Sequence, residues 1–259
     1  MNIALVGYGK MGHLLKTVAV ERHHRVAVTI DVTAPDADVR IESGDAAALR
    51  NAVASSGADG VIEFSHPAGV VSNIRALVPL QVPIVVGTTG WHDAEREVTQ
   101  LVEDAGAALV RASNFSIGVF AFYKIVAAAA AIMSRYDDYD VAVWETHHNQ
   151  KADSPSGTAL EIARCIMEHD VRKTAVVIDA FHEQPKPGDL HVSSTRVGKV
   201  PGTHTVFFDG SADTIELTHR ARNREGLARG AVTALERLAA GLLDGTLKGG
   251  RVYGLDDIF

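Results

Sequence analysis

Short apolar runs alternate with longer amphipathic stretches along the first 115 residues of the chain. The runs are rich in β-branched residues and predict strands, whereas stretches with apolar positions three or four residues apart predict helices. The predicted strands are 2–6, 25–30, 59–64, 82–86 and 107–112, and helices are predicted after residue 12 and over 45–55, 67–77 and 93–105. Residues 32–44 are polar and predict a loop. Strands that alternate with helices at this spacing predict a parallel sheet covered on both faces.

The pattern changes after Phe115. A long alanine-rich helix is predicted over residues 117–134, and it is followed by several strands with one helix, 158–169, among them. The predicted strands are 139–146, 175–180, 191–196, 203–209 and 214–219. An amphipathic helix over 227–243 should return to the first sheet, and a tail over 249–259 should pack there too. We therefore expect an α/β protein with one domain over residues 1–115 and 220–259, and a smaller mixed α+β domain over 116–219.

The turn after the first strand is Gly7-Tyr8-Gly9-Lys10-Met11-Gly12, and it leads directly into a helical pattern. Asp31 follows the second predicted strand, nineteen residues after Gly12. A dinucleotide-binding fold places its phosphate-binding glycines and its ribose-binding acid at these positions. The sequence therefore predicts an N-terminal Rossmann domain in which the six turn residues and Asp31 contact a dinucleotide. The alternative interpretation is a glycine-rich structural turn.

Small and hydroxyl-bearing residues follow the next three strands, at the edge where open parallel sheets bind ligands. Ser65 follows the third strand. The groups after the fourth and fifth strands are suited to contact a nicotinamide ring and its carboxamide. They are Gly87, Thr88 and Thr89, and Ala112, Ser113, Asn114 and Phe115. The alternative is that all of them are only turn residues.

Residues 145–159 hold the densest group of reactive side chains in the sequence. His147 and His148 should stand at the end of a strand and point to opposite sides of it. Lys151 follows three residues later. Thr158 and Glu161 fit a capping box, so the backbone N–H groups near Gly157 and Thr158 should face a bound anion such as a carboxylate.

Composition and charge exclude several classes of protein. The formal net charge of −7 over 259 residues argues against a nucleic-acid partner. Cys165 is the only cysteine, which excludes an internal disulfide and a cysteine-rich metal site. The longest apolar stretch, 125–133, is too short to cross a bilayer, and Met1 leads directly into a strand, so we expect a cytoplasmic protein with no membrane partner.

The histidine pair suggests a metal site as an alternative. Adjacent histidines on a strand cannot converge on one ion, and no Glu or Cys stands at helical ligand spacing, so we expect no metal. His204 and His219 are expected to be ordinary strand residues. The run Arg220, Arg222 and Arg224 could guide an acidic substrate, but a role in salt bridges is equally consistent with the sequence.

Taken together, the motifs resemble those of the 4-hydroxy-tetrahydrodipicolinate reductase family, also called dihydrodipicolinate reductase. The resemblance covers the whole chain and rests on residues 7–12, 87–90, 113–118 and above all 147–158. It implies a Rossmann domain with a smaller substrate-binding and oligomerisation domain, and a homotetramer. It also implies reduction of a small cyclic dicarboxylate with NADH or NADPH, on the diaminopimelate route of lysine biosynthesis.

The resemblance assigns roles residue by residue. His147 corresponds to the general acid/base and Lys151 to the proton donor, while His148, Gly157 and Thr158 correspond to contacts with a substrate carboxylate. The turn 7–12, Asp31, residues 87–89 and residues 112–115 correspond to cofactor contacts. A cation beside the ring would stabilise the charge that develops on hydride addition, which suits Lys151.

Asp31 is followed by Val32 and Thr33 rather than by arginine, which favours the free ribose of NADH over a 2′-phosphate. Lys10 lies in the phosphate loop and keeps NADPH as an alternative. Two other functions stay open on the residues alone: another two-domain amino-acid dehydrogenase, and a nucleotide-sensing Rossmann protein without turnover. The second has no use for His147 and Lys151.

Overall fold

The computed structural model describes residues 1–178 and 180–259, and the chain divides into two units. The first unit contains Met1–Ser116 and Glu225–Phe259, and the second contains Ile117–Arg224. The expected division of labour, with cofactor binding in one part of the chain and substrate binding and oligomerisation in the other, remains a prediction.

The strands are β1 (Asn2–Val6), β2 (Arg25–Asp31), β3 (Val39–Arg40), β4 (Gly60–Glu63), β5 (Ile84–Val86), β6 (Ala108–Arg111), β7 (Asp140–His147), β8 (Ala175–Val177), β9 (Asp189–Arg196), β10 (Thr203–Asp209), β11 (Thr214–Arg220) and β12 (Arg251–Tyr253). The helices are α1 (Lys10–Glu21), α2 (Ala46–Ser56), α3 (Pro67–Leu77), α4 (Glu95–Ala105), α5 (Ile117–Met133), α6 (Gly157–His169), α7 (Glu225–Asp244) and α8 (Leu255–Ile258).

The sheet of the first unit runs in the order β12-β6-β5-β4-β1-β2-β3, and all of its pairings are parallel. The order reverses between β1 and β4, where a doubly wound sheet opens its ligand crevice. β4 is buried along its whole length, as expected for a central strand covered on both faces. This sheet confirms the predicted α/β class and brings the carboxyl ends of β1, β2, β4, β5 and β6 to one edge.

Helix α7 returns the end of the chain to this sheet, as predicted. Its apolar face, including Ala231, Leu235 and Leu238, is fully buried in one core with β1 and α1 residues. Close approach requires glycine at position 230, because a Cβ there would overlap the backbone carbonyl of Phe115.

The sheet of the second unit runs in the order β11-β10-β7-β9-β8. β7 pairs in parallel with β9 and antiparallel with β10, and α5 and α6 share a core with the inner face of these strands. β7 is therefore the central strand, and its carboxyl end carries His147.

Two regions differ from the expectation for the first unit. The loop predicted over residues 32–44 contains β3, which pairs with the end of β2. The Asp38 carboxylate fixes this pairing, because it accepts the N–H and hydroxyl of Thr29; two residues are too few to give a periodic signal. The tail does pack on the first unit, but it also adds β12 to the sheet beside β6.

In the second unit, the strand predicted over 175–180 ends at Val177, and residue 179 of that prediction lies outside the described residues. The strand predicted from residue 191 begins earlier, at Asp189. Among the described residues, none of the helices combines the length and the apolar character needed to cross a bilayer.

The contact between α7 and Phe115 gives a stability prediction. Gly230→Ala should lower the free energy of unfolding by about 1–3 kcal/mol, because the added methyl group must displace backbone. Gly226→Ala in the same helix is the control: its methyl group would meet only the Ser116 hydroxyl, at 3.4 Å. Thermal unfolding checks this, and equal melting temperatures for the two variants would contradict the packing described for α7.

Candidate functional site

The turn between β1 and α1 is held in a conformation that requires glycine. Gly7 has a φ of +90°, and a Cβ there would overlap the carbonyl of Phe64. The next residue, Tyr8, donates its N–H to Asp31 Oδ2 at 2.6 Å. The turn is therefore tied to the end of β2, and it places the N-terminus of α1 at the ligand edge of the sheet.

Asp31 is presented as an ionised acceptor. Its Oδ1 accepts the backbone N–H groups of Thr33 at 2.7 Å and Ala34 at 2.8 Å. Burial alone would raise the pKa of Asp31, but these bonds and that from Tyr8 outweigh it and hold the pKa below its usual value. A carboxylate with a fixed orientation at this position suits a ribose diol.

A cavity of about 170 Å³ lies beside Asp31. It contains three of the predicted cofactor contacts, Gly7, Gly9 and Asp31. Its lining also includes residues that no sequence motif indicated, among them Glu42, Ser43 and Asn73. Glu42 brings a second carboxylate to the same cavity.

A second cavity, of about 100 Å³, is lined by Thr88, Thr89, Ala112 and Ser113 of the predicted contacts. Its wall is braced by Trp91, whose indole N–H donates to the Thr88 carbonyl at 2.7 Å. The structure thus brings the ends of β5 and β6 together around one space.

The other predicted cofactor contacts lie outside both linings: Tyr8, Lys10, Met11, Gly12, Gly87, Asn114 and Phe115. Tyr8 is buried and stacks on His13, with ring centroids 4.3 Å apart. A Cβ at Gly87 would overlap the Phe64 ring, and Phe115 is buried in the core. For the Phe115 side chain, the structure favours packing over ligand contact.

Glu63 lies buried at the end of β4, close to both groups of strand ends. Its Oε1 accepts from Ser65 and from Asn73, whereas its Oε2 is buried without a hydrogen bond. Burial raises the pKa of Glu63, and hydrogen bonding, chiefly from Ser65, offsets this only in part. Glu63 is therefore held toward its protonated form.

In the second unit, β7 places Glu145 and His147 on the same face, because they are two residues apart on a strand. Both are buried. The neighbouring strands bring their partners: Glu145 lies opposite His204 of β10 and Ser194 of β9, and His147 lies opposite Arg196 of β9. His148 follows the strand and is partly exposed.

The Glu145 carboxylate collects donors from all of these elements. Oε1 accepts from the Ser156 N–H at 3.1 Å and from Ser194 Oγ and Arg196 Nη2, each at 2.9 Å. Oε2 accepts from the Ser156 hydroxyl and lies 3.4 Å from both His147 Nδ1 and His204 Nε2. A fully buried carboxylate is thereby satisfied on both oxygens.

These contacts set the charges of the cluster. Burial alone would raise the pKa of Glu145, but hydrogen bonds from His147, His204, Ser156 and Arg196 outweigh it and hold the pKa far below its usual value. Burial lowers the pKa of His204, against the opposing hydrogen bond to Glu145. The cluster therefore contains a fixed negative charge and a neutral imidazole at His204.

Lys151 lies in the loop that leaves β7. Its Nζ pairs with both carboxylate oxygens of Asp153, at 2.8 and 2.9 Å. The hydrogen bond from Lys151 lowers the pKa of Asp153. Arg196 donates to the Asp153 carbonyl at 2.6 Å, so this loop is tied to the Glu145 cluster.

Helix α6 begins directly after this loop, and its N-cap is Ser156, whose Oγ accepts the N–H of Ala159 at 3.1 Å. The predicted capping box of Thr158 with Glu161 is therefore wrong by two residues: Ser156 satisfies the cap, and Glu161 pairs with Arg164. Gly157 is exposed, and a Cβ on it would meet nothing within 4 Å. The first turn of α6 still presents its N–H groups beside open space.

Comparison with known proteins gives the family. The sequence model described as the dihydrodipicolinate reductase N-terminus matches residues 1–115, and that of the C-terminus matches residues 118–259. The chain belongs to the dihydrodipicolinate reductase family. This confirms the resemblance and the predicted enzyme class, a nicotinamide-dependent oxidoreductase.

Relatives of the same length support the assignment. A 4-hydroxy-tetrahydrodipicolinate reductase of Christiangramia forsetii is 36% identical over 238 residues, which are 92% of each chain. A protein of the same name from Cupriavidus necator is 34% identical and is covered to 94%. The dipicolinate-bound dihydrodipicolinate reductase of Paenisporosarcina sp. TG-14 superposes with a TM-score of 0.76 over the whole of both chains; at 21% identity this shows the fold.

Sequence reasoning about this reductase-family chain missed Glu145, Ser156, Arg196 and His204 as members of one cluster. Spacing could have found the first, because Glu145 lies two residues before His147 on a predicted strand. The others depend on strand pairing, which the periodicity of a single segment does not reveal. His204, expected to be an ordinary strand residue, contacts Glu145 and stacks edge-on against His147 at 5.1 Å.

Among the described residues, Glu145, His147 and His204 also form a possible set of metal ligands, with donor atoms within 4.8 Å of one another. The donor set does not fit a cation well, because Arg196 already neutralises the carboxylate and Ser156 and Ser194 occupy its lone pairs. The prediction of no metal therefore remains the interpretation that these contacts favour.

Glu63 gives a prediction about pH and stability. Since burial raises its pKa above that of the unfolded chain, Glu63 costs stability increasingly as the pH rises from the unfolded pKa to the folded one. Glu63→Gln should therefore raise the melting temperature more at pH 7.5 than at pH 5. The control is Glu236→Gln, which removes an acid paired with Arg22 and His24 and should lower the melting temperature at pH 7.5. A Glu63→Gln variant less stable than wild type at pH 7.5 would contradict the assignment.

Proposed function

We propose that the chain reduces 4-hydroxy-tetrahydrodipicolinate to tetrahydrodipicolinate with a nicotinamide cofactor, in the diaminopimelate route of lysine biosynthesis. The observation that carries this is the run from His147 to Thr158. It joins the end of β7 to the N-terminus of α6 and so combines imidazole, ammonium and helix N–H groups in one segment. Family membership and the relatives' names support the same reaction.

The first unit would hold the cofactor. The Gly7–Gly12 turn has the open backbone that a pyrophosphate needs, since a Cβ at Gly9 would meet nothing within 4 Å. Asp31 would bind the ribose hydroxyls, and residues 87–89 and 112–115 would surround the nicotinamide end. When bound, the cofactor supplies the hydride.

Substrate carboxylates would bind in the second unit. The N–H groups of Gly157 and Thr158 stand in the first turn of α6, where the helix dipole favours an anion. His148 is partly exposed at the end of β7 and would contact a carboxylate as well. A small dicarboxylate fits these groups, and the relative from Paenisporosarcina binds dipicolinate, a compound of this class.

Lys151 and His147 would carry out the proton transfers. The reduction removes the 4-hydroxyl group as water and adds a hydride and a proton to the ring. The hydride leaves negative charge on the ring, which the Lys151 ammonium would stabilise and then neutralise by giving up a proton. Asp153 holds Lys151 in place through two oxygens. His147, with Glu145 behind it, would act as the general acid/base that restores the proton.

The other functions are weaker. Structural similarity to diaminopimelate dehydrogenases reaches TM-scores of 0.54 to 0.56 at 12 to 14% identity, which reflects a shared fold. A nucleotide sensor would have no use for the proton donors. The homotetramer and the cytoplasmic location implied by the resemblance stay predictions.

Activity tests the proposed reaction directly. The substrate is generated from aspartate semialdehyde and pyruvate by the preceding synthase, and NADH loss is followed at 340 nm, roughly the absorbance maximum of a reduced nicotinamide. Lys151→Ala should lower kcat roughly 100- to 10,000-fold, because it removes the proton donor. Lys248→Ala, an exposed lysine of the first unit, is the matched control. No NADH oxidation by wild type would refute the reaction, and a wild-type rate in Lys151→Ala would refute the mechanism.

Cofactor choice is a further prediction. Asp31 and Glu42 place two carboxylates at the predicted ribose site and should repel a 2′-phosphate, so kcat/KM should favour NADH by roughly tenfold or more. Arg40 lies opposite Asp31 in the β2–β3 pairing and brings a cation close to this site, where it would pair with a 2′-phosphate. Arg40→Ala should therefore weaken NADPH use and spare NADH. A wild-type preference for NADPH would contradict this assignment.

A further inference from the structure

Glu145 faces His147, which is proposed to transfer a proton, and it also binds Ser156, the N-cap of the helix that is proposed to bind a substrate carboxylate. We propose that Glu145 is a positioning residue that holds the hydrogen of neutral His147 on Nδ1, which leaves Nε2 to exchange a proton, and that it also sets the N-terminus of α6 for the substrate carboxylate. This inference rests on the proposed function, but part of it is measurable without turnover.

The two carboxylate oxygens of Glu145 have different partners. Oε1 accepts from three structural donors on two elements: the Ser156 N–H at the start of α6, and Ser194 and Arg196 of β9. Oε2 faces the groups of the proposed chemistry, His147 Nδ1 at 3.4 Å and the Ser156 hydroxyl. The donors to Oε1 fix the orientation of the carboxylate, and this orientation places Oε2 opposite His147 Nδ1 and the Ser156 hydroxyl.

The chemistry of the carboxylate decides the tautomer of His147. An ionised carboxylate can only accept, so a ring nitrogen that faces it must carry the hydrogen. Among the described residues, Glu145 is the acceptor that lies opposite the buried Nδ1, which forms no closer hydrogen bond. The 3.4 Å contact is long, as such contacts often are without a bound substrate. Neutral His147 therefore carries its hydrogen on Nδ1 and leaves Nε2 to exchange a proton.

The surroundings of Nε2 agree with this role. Nε2 lies beside Gly202, and a Cβ at that position would stand 2.9 Å from it. The chain thus has no side chain at the point where one would cover the exchanging nitrogen. His204 presents its other ring nitrogen to the carboxylate. Its Nε2 faces Glu145 and lies 3.2 Å from the Ser156 hydroxyl.

The same carboxylate orders the start of α6. The Ser156 hydroxyl donates to Glu145 and accepts from the Ala159 N–H, so one side chain joins the carboxylate to the helix cap. Gly157 and Thr158 follow immediately. A shift of Glu145 would move the cap, and with it the N–H groups that are proposed to bind the substrate.

The wild-type protein provides the first test. Nitrogen-15 NMR of histidine-labelled protein at about pH 8.5, well above the ordinary histidine pKa, reports which ring nitrogen carries hydrogen. The His147 signals are identified by their loss in His147→Asn. Hydrogen on Nδ1 of His147 is the expected result, and a bare Nδ1 overturns the proposal whether or not the enzyme turns over.

Variants provide the second test. Glu145→Gln keeps the shape but can place an amide N–H opposite His147 Nδ1, which would reverse the tautomer. We expect kcat to fall roughly 10- to 100-fold, the substrate KM to rise and the NADH KM to stay unchanged. Wild-type kcat with a wild-type His147 spectrum would overturn the proposal.

One control separates positioning from stability. Asp170→Asn alters another fully buried carboxylate of the second unit, paired with Arg172, and should lower stability without changing kcat. An equal loss of kcat in Asp170→Asn would show that the loss in Glu145→Gln arises from lower stability, and this result would overturn the proposal. If Glu145→Gln does not fold, the wild-type spectrum decides.

Discussion

The second unit depends on one buried carboxylate. Glu145 has no exposed surface, yet it stays ionised because donors from β7, β9, β10 and the start of α6 surround it. Removing such a charge from water is costly, and only a complete set of hydrogen bonds offsets that cost. The strands, the helix cap and the loop of Lys151 are therefore held in register by the same group that faces His147.

Glu63 in the first unit shows what happens when that set is incomplete. It is as deeply buried as Glu145, but among the described residues its carboxylate has no cationic partner and its Oε2 has no hydrogen bond, and its pKa moves in the opposite direction. Hydrogen-bond partners, and not burial alone, decide whether a buried acid is charged. An ionised acid at Glu145 can orient an imidazole, whereas a protonated acid at Glu63 behaves as a neutral part of the first unit.

Much of this architecture could be predicted from local sequence signals. Apolar periodicity predicted most strands and helices of both units, and the spacing of Gly7, Gly12 and Asp31 predicted which edge of the first sheet binds a ligand. Strand pairings and side-chain contacts between separate segments could not be predicted in this way. β3 is two residues held by Asp38, β12 joins the sheet from the far end of the chain, and the Glu145 cluster requires the pairing of β7 with β9 and β10. Such contacts join separate segments of the chain, and the periodicity within one segment does not record them.

Under the proposed function, the segment from Glu145 to Thr158 acts as one unit, in which a carboxylate orients an imidazole and the N-terminus of α6 binds an anion. The most direct test of this claim is a crystal structure with dipicolinate and NADH bound. We predict a dipicolinate carboxylate within about 3 Å of the Gly157 N–H, with the Glu145 carboxylate still facing His147 Nδ1. Dipicolinate bound away from the start of α6, or a His147 ring turned away from Glu145, would contradict it.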